Sequence, residues 1–356
     1  MPEGHTLHRL AQALDTAFAG TRPSAASPQG RFEDGAALLD GREVIAASAW
    51  GKHLFMEFAG DQWLNVHLGL IGKFSVASYD LERDGVPPVR GQVRLRLLTT
   101  THVADLRGAI VSQVVTPDQV DDIVARLGPD PLRTEQDPDR AWARISKSGR
   151  SFAELLMDQS ILAGVGNVYR CEVLFRHRID PFRPGKEIRR QTWQLVWDDL
   201  VRLMPLGVAF NQIITMEDQV EKAELRVAQG RVPELAVVDT DSARRARPGP
   251  AGVLAAAVAA VVGDERAADL ADESDEGDVD EIDDDEPEDE TPASSRFAGV
   301  TRGPRVSGTS RRGGFRRKYA VYRRQGEPCR VCGSKIRTKV VAGRNMFWCG
   351  RCQRRR

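Results

Sequence analysis

The residues able to do chemistry sit at the two ends of this chain. Cys329, Cys332, Cys349 and Cys352 form two C-x2-C pairs separated by sixteen residues. Each pair sets two sulfurs on one tight turn. Gly333 and Gly350 directly follow Cys332 and Cys349, and the spacer suits a short β-hairpin. Four thiolates in this arrangement predict one structural zinc ion in a closed site, because a catalytic zinc keeps its fourth position open. Cys171 stands apart and is expected to be a core residue. At the other end, Met1 precedes Pro2 and Glu3. Removal of Met1 exposes a secondary amine beside a carboxylate. A terminal amine has a reference pKa of about 7.7–8.0, so a useful fraction is neutral and nucleophilic near pH 7. It can form an imine with the aldehyde carbon of a sugar.

The elements that must carry these groups are legible from hydrophobic period. Leu7, Leu10, Leu14 and Phe18 recur at helical spacing and Gly20 follows as a stop, which predicts an amphipathic helix directly behind Pro2 and Glu3. The period then changes to alternation in Leu54/Met56/Phe58, Leu64/Val66/Leu68 and Val93/Leu95/Leu97, predicting a β-sandwich domain over residues 1–118. Residues 119–216 return to helical spacing. Ser151 and Glu154 form a capping box, Gly164 and Gly166 a tight turn before a helix with Cys171, Leu174 and Phe175 on one face, and Trp193, Val196, Trp197 and Leu200 a further helix. Residues 217–304 are Ala-rich, then acidic, then rich in Gly, Ser and Arg, and are expected to be a disordered linker. Residues 305–356 hold the cysteine pairs.

Charge points to the partner. The chain has 51 basic and 51 acidic residues, but 17 of the acids lie in residues 264–290 against one Arg, so the remainder carries a net charge of +16. Residues 296–356 alone hold 19 Lys or Arg and one acid. An anionic polymer is the expected partner. The most apolar stretch, residues 251–262, is too short to span a membrane, and no basic segment with an apolar core opens the chain, so a cytoplasmic location is expected. Nothing suggests a coiled coil, and a monomer is expected.

Met1-Pro2-Glu3-Gly4, Gly51-Lys52-His53-Leu54, residues 162–169 (Leu-Ala-Gly-Val-Gly-Asn-Val-Tyr), and Glu327-Pro328-Cys329 through Cys352-Gln353 resemble, in order, the signatures of the Fpg/Nei family of DNA glycosylases. The opening with Gly4 resembles the endonuclease VIII branch, and its actinobacterial members in particular. The resemblance implies an α+β fold: a β-sandwich with the nucleophile helix, a helix-two-turn-helix domain and a zinc β-hairpin, with damaged duplex DNA in the cleft between domains. It implies that Pro2 attacks C1′ of a flipped-out nucleotide, that Glu3 is the acid that opens the sugar ring, and that elimination of the strand phosphates follows. It further implies that Lys52 is the family's catalytic lysine, in contact with phosphate and sugar, that Asn167 and Arg344 bind the DNA backbone, and that Leu70 fills the hole left by the flipped base. The expected activity is a bifunctional glycosylase and abasic-site lyase acting on oxidised bases, pyrimidines first. Oxidised purines are the alternative within the family, and a non-catalytic zinc-dependent DNA-binding protein the alternative outside it. The sequence also departs from the family. Thr6 stands where a second Glu is common, and residues 105–108 resemble a shortened void-filling loop, which extends the expected substrates to single-stranded or bubble DNA.

Overall fold

The computed structural model describes residues 2–134, 136–233, 235 and 315–354. Helix α1 (Gly4–Phe18) buries Leu7, Leu14 and Phe18 and leaves Leu10 at the edge of the core, as its spacing predicts. Beside it lie two four-stranded antiparallel sheets. The first is ordered β1 (Ser24–Ala26), β6 (Leu95–Leu98), β7 (His102–Arg107), β5 (Lys73–Ser78); the second is β2 (Val44–Trp50), β3 (His53–Phe58), β4 (Gln62–His67), β8 (Val111–Val115). Short helices α2 (Glu33–Leu39) and α3 (Leu81–Asp84) bridge strands at the rim. Leu54, Met56, Phe58, Leu64 and Val66 of one sheet share a core with Leu95, Leu97, Ala104 and Leu106 of the other, and α1 closes its side.

Helix α4 (Pro117–Ala125) starts on a complete capping box of Thr116 and Gln119. Its Val120, Ile123 and Val124 cover Phe55, Trp63 and Val115 on the outer face of the second sheet. The expected boundary at 118 therefore falls one helix too early, because α4 is packed on the sandwich.

A second correction concerns residues 105–108. Asp105, Leu106 and Arg107 are not a loop but the end of β7, all paired with β5 and the first two also with β6. Arg96 of β6 is buried and donates to the Asp105 carboxylate at 2.7 and 2.8 Å, and Arg107 donates to it at 2.7 Å. With a paired strand at this place, residues 105–107 offer no shortened loop to favour single-stranded or bubble DNA.

The helical domain comprises α5 (Pro138–Ile145), α6 (Phe152–Leu155), α7 (Asn167–Arg176), α8 (Arg190–Phe210) and α9 (Glu217–Ala228). Ser151 and Glu154 cap α6 reciprocally, as predicted. Trp193, Val196, Trp197 and Leu200 are buried on α8, and Cys171 on α7, in one core. Helix α9 corrects the expected linker at its start: Val220 and Ala223 are buried against that core, and Gln219 donates to the Arg316 carbonyl at 2.9 Å. Sparse apolar spacing in a charged stretch hides this helix. The acidic run and the rest of the expected linker lie outside the described residues.

The chain returns at Phe315, whose ring meets Phe210 edge-on at 5.2 Å. The buried Glu172 carboxylate then accepts from three successive backbone N–H groups, Ala320, Val321 and Tyr322, at 2.8–2.9 Å, and from the Thr215 hydroxyl at 3.0 Å. A carboxylate holding that many donors fixes a backbone segment strongly. Beyond it, β9 (Ile336–Val341) and β10 (Arg344–Cys349) form the predicted hairpin, and Met346 and Phe347 join the helical core. Among the described residues no helix is long and apolar enough to cross a membrane.

Candidate active site and zinc centre

Three turns meet where the two domains touch. The first is the start of α1: Gly4 N–H donates to the Gly164 carbonyl at 2.8 Å. A Cβ on Gly4 would lie 2.8 Å from the Gly164 Cα, so only glycine permits this approach. The second is the two-residue tip Gly51-Lys52 that joins β2 to β3, with Trp50 paired to His53. Gly51 has φ +57°, and a Cβ there would press on Ala163 at 3.0 Å. The third is the glycine turn at 163–166, which ends on the first turn of α7.

Glu3 is fully buried in this junction. Its carboxylate sits on the N-terminal end of α7 and accepts from Val168 N–H at 2.8 Å, Gly166 N–H at 3.0 Å and Tyr169 N–H at 3.4 Å. Unpaired N–H groups and the positive end of the helix favour an anion here. Burial nonetheless outweighs them and raises the Glu3 pKa above the usual carboxylate range, with Lys52 and the three N–H groups opposing. A carboxyl tuned this way holds a proton more readily than an exposed one. Pro2, adjoining Glu3, is partly exposed.

Lys52 is half-buried, and its ammonium feels the Glu3 carboxylate. Desolvation lowers its pKa to about 8; Glu3 pulls it up, while Arg344 and Arg170 push it down. Behind it, on the outer face of the second sheet, His53 and His67 meet edge-on at 5.1 Å. The His53 ring lies 3.2 Å from the Asn65 carbonyl. His67 is held neutral, with its pKa lowered to about 3 by burial and then by His53 and Lys52. Its Nδ1 accepts from Gly69 N–H at 3.0 Å, which shapes the turn carrying Leu70. Leu70 itself is half-buried, and Ile71 beside it is more exposed.

Asn167 opens α7 and is buried. Its amide nitrogen donates to the Asn345 carbonyl of the zinc hairpin at 3.0 Å, and its Oδ1 accepts from Arg170. Arg170 also donates to the Val341 carbonyl at 3.2 Å. The zinc hairpin is thus bolted to the helix that seats Glu3. Arg344 follows the hairpin turn, half-exposed, close enough to lower the pKa of both Lys52 and Arg170. The structure therefore brings Pro2, Glu3, Lys52, Asn167 and Arg344 to one junction, with Leu70 on a neighbouring turn.

The four cysteine sulfurs lie within 4.8 Å of one another, with Cys332 to Cys349 at 3.4 Å and Cys329 to Cys352 at 3.8 Å. Zinc–thiolate bonds of about 2.3 Å in a tetrahedron separate sulfurs by about 3.8 Å, so the quartet fits one zinc ion. Backbone N–H groups of Val331 and Cys352 point at the sulfurs of Cys329 and Cys349, at 3.5 and 3.4 Å, as two knuckles require. Zinc here is structural: four sulfurs fill its shell, and its effect on the junction runs through the hairpin that carries Arg344.

Residues of the junction that sequence reasoning missed are Arg170, His67 and Asp130, the last fully buried and accepting from Gly51 N–H at 2.7 Å. Asp130 lies in Gly128-Pro129-Asp130-Pro131, whose composition signals only a turn. Arg170 lies on a helix whose residues 167–175 are all buried, so no polar face marks it.

Comparison with known proteins agrees with this geometry along the chain. Residues 1–110 match the formamidopyrimidine-DNA glycosylase N-terminal domain, 127–218 its H2TH domain, and 326–355 the zinc finger found in FPG and IleRS. Endonuclease 8 1 of Mycobacterium tuberculosis is 40% identical over 354 residues, 99% of this chain and 100% of the relative. Formamidopyrimidine-DNA glycosylase of Thermus thermophilus is 25% identical over 322 residues, 89% of this chain and 85% of the relative. In fold, the chain matches Lactococcus lactis Fpg in complex with DNA containing an abasic site, with TM-score 0.62 and 18% identity over 99% of this chain and 100% of that one. A β-sandwich, an H2TH domain and a zinc hairpin that converge on an N-terminal Pro-Glu pair define a DNA-repair enzyme. The chain belongs to the Fpg/Nei family, whose members are DNA glycosylases of base excision repair with abasic-site lyase activity.

Proposed function

We propose that this chain excises oxidised bases, pyrimidines foremost, and cleaves the strand through an imine on Pro2. The observation that carries the reading is Glu3: a fully buried carboxylate adjoining Pro2, seated on the α7 N-terminus with its pKa raised. With Met1 removed, the Pro2 nitrogen attacks C1′ of the flipped nucleotide. The N–C1′ bond forms, the ring oxygen takes a proton from Glu3 as the sugar opens, and the N-glycosyl bond breaks as the base leaves with the proton the amine gives up, which leaves an iminium at C1′. The iminium acidifies the C2′ hydrogens, and loss of one expels the 3′ phosphate; the conjugated iminium then acidifies the C4′ hydrogen, whose loss expels the 5′ phosphate, and water releases the amine.

Lys52, Arg344 and Asn167 hold the phosphates on either side of the lesion. For Asn167 this uses the amide hydrogen left after its bond to Asn345. Leu70 enters the stack where the base has left. The Gly4 opening and the full-length similarity to an endonuclease 8 support the pyrimidine preference. The test is single-turnover base release and strand cleavage on matched duplexes carrying one oxidised pyrimidine or one 8-oxoguanine. Faster release of the pyrimidine is expected; release of 8-oxoguanine at the higher rate would assign the chain to purines instead.

A further inference from the structure

Asp130 bonds the Gly51-Lys52 tip and helix α1 beside the glycine turn, although it follows the sandwich in the chain and precedes the helical domain. It is fully buried. Its Oδ2 accepts from Gly51 N–H at 2.7 Å and from His8 Nε2 of α1 at 2.9 Å, while its Oδ1 accepts from Leu132 N–H at 2.9 Å. A Cβ on Gly164 would lie 3.5 Å from that Oδ1, and the Pro129 carbonyl beside it accepts from Ala163 N–H at 3.1 Å, which ties the segment to the glycine turn. Three residues on, Arg133 donates to the Ala49 carbonyl at 3.0 Å and stacks on the Trp50 ring at 3.8 Å, gripping the strand end next to the same tip.

The Gly51 N–H is what makes this more than a turn. It sits between the paired residues Trp50 and His53, outside the strand ladder, in a left-handed conformation pressed against Ala163. A two-residue tip has few ways to swing, so its one bond to a buried acceptor fixes where Lys52 stands. The Leu132 bond alone would be an ordinary turn within one segment; the Gly51 and His8 bonds reach back 79 and 122 residues.

We propose that Asp130 is a positioning residue that pins the Gly51-Lys52 tip to the glycine turn and so holds the Lys52 ammonium over Glu3. The inference rests on the reading of Lys52 as a group that contacts DNA at the lesion. Asp130→Asn keeps the shape but turns an NH2 toward one of the donor sets that the carboxylate now satisfies.

The experiment is a double-mutant cycle on the full chain with zinc bound. Asp130→Asn is made in the wild-type and in the Lys52→Ala background, and the single-turnover rate of borohydride-trapped adduct is measured on an abasic-site duplex at saturating enzyme. Loss of the charged acceptor is expected to slow the wild type by about tenfold or more, and the Lys52→Ala enzyme by less than about twofold. Equal loss in both backgrounds would mean that Asp130 acts on domain orientation alone and would overturn the proposal. So would an unchanged rate for Asp130→Asn beside a Lys52→Ala enzyme that is slow. Trapping by Lys52→Ala at the wild-type rate would refute the reading of Lys52 itself, and this proposal with it. Should Asp130→Asn fail to fold, Asp130→Glu keeps the charge and shifts its oxygens by one methylene; a loss confined to the background that retains Lys52 is again expected.

Discussion

Replacing Gly166 by Ala probes the seat of Glu3 without substituting Glu3 or any group that meets DNA. Gly166 has φ −120° and ψ −162°, a backbone any residue adopts, so the substitution carries no conformational strain. Its whole effect is steric: the added Cβ would lie 2.4 Å from the Glu3 Cδ, 2.5 Å from Cγ and 2.7 Å from Oε1. That is about 1 Å short of ordinary contact, and the side chain is walled in by the α7 N–H groups it caps. Overpacking of this kind costs about 1–3 kcal/mol. For a domain of this size that lowers the melting temperature by roughly 2–10 °C. A displacement of about 1 Å at an acid group costs about a hundredfold in the chemical step. The assay is a thermal melt together with single-turnover imine trapping, for Gly166→Ala, Glu3→Ala and the double variant. Because Glu3→Ala removes the atoms that clash, Gly166→Ala is expected to cost stability in the wild type and almost nothing in the Glu3→Ala background. A Gly166→Ala enzyme that melts and traps like wild type would refute the placement of the Glu3 carboxylate on α7, and equal destabilisation in both backgrounds would locate the clash elsewhere.

Other perturbations separate the parts. Chelating zinc should weaken DNA binding by at least about tenfold while the β-sandwich melts unchanged, since the hairpin bears Arg344 and the sandwich has its own core; far-UV melting and a binding titration with and without chelator read this, and loss of both together would count against it. Lys52→Met should slow the enzyme yet raise its stability at pH 7 by about 1–2 kcal/mol. Burial lowers the folded Lys52 pKa from 10.5 to about 8, so the charged form strains the fold below pH 8, and the wild type recovers the deficit as pH rises from 8 toward 10.5. Melts across that window check the sign, and a difference that widens with pH contradicts it. Deleting residues 240–310 should leave trapping intact. Deleting 220–300 should lower both stability and activity, because it removes Val220 and Ala223 from the helical core; two deletions behaving alike would argue against the packing of α9.

The legible parts of this chain were those where local chemistry repeats a motif. Two C-x2-C knuckles around a hairpin can close on zinc in few other ways, and alternation with a capping box at Ser151 suffices for the sandwich and α6. The Gly4 that distinguishes the opening also has a plain steric cause in its contact with Gly164. What stayed hidden depends on burial from several sides. Helix α7 is enclosed by α6, α8 and the zinc hairpin, so Arg170 and Glu172 look like solvent-facing charges in sequence and are buried connectors in the fold. Asp105 and Arg96 alternate like outward residues of β7 and β6, yet they pair with each other beneath the Pro87 and Pro88 carbonyls. Asp130 acquires its role from residues 79 and 122 positions away, which no local pattern encodes.

The central claim is that the N-terminal proline is the nucleophile. It is tested most directly by reducing the enzyme with borohydride on an abasic-site duplex, digesting the adduct, and locating the attached sugar by mass spectrometry. The account predicts a single modified peptide, beginning at Pro2 with Met1 removed, and its disappearance when Met1 is retained. A sugar carried by Lys52 or any other amine, with Pro2 free and unmodified, would contradict it.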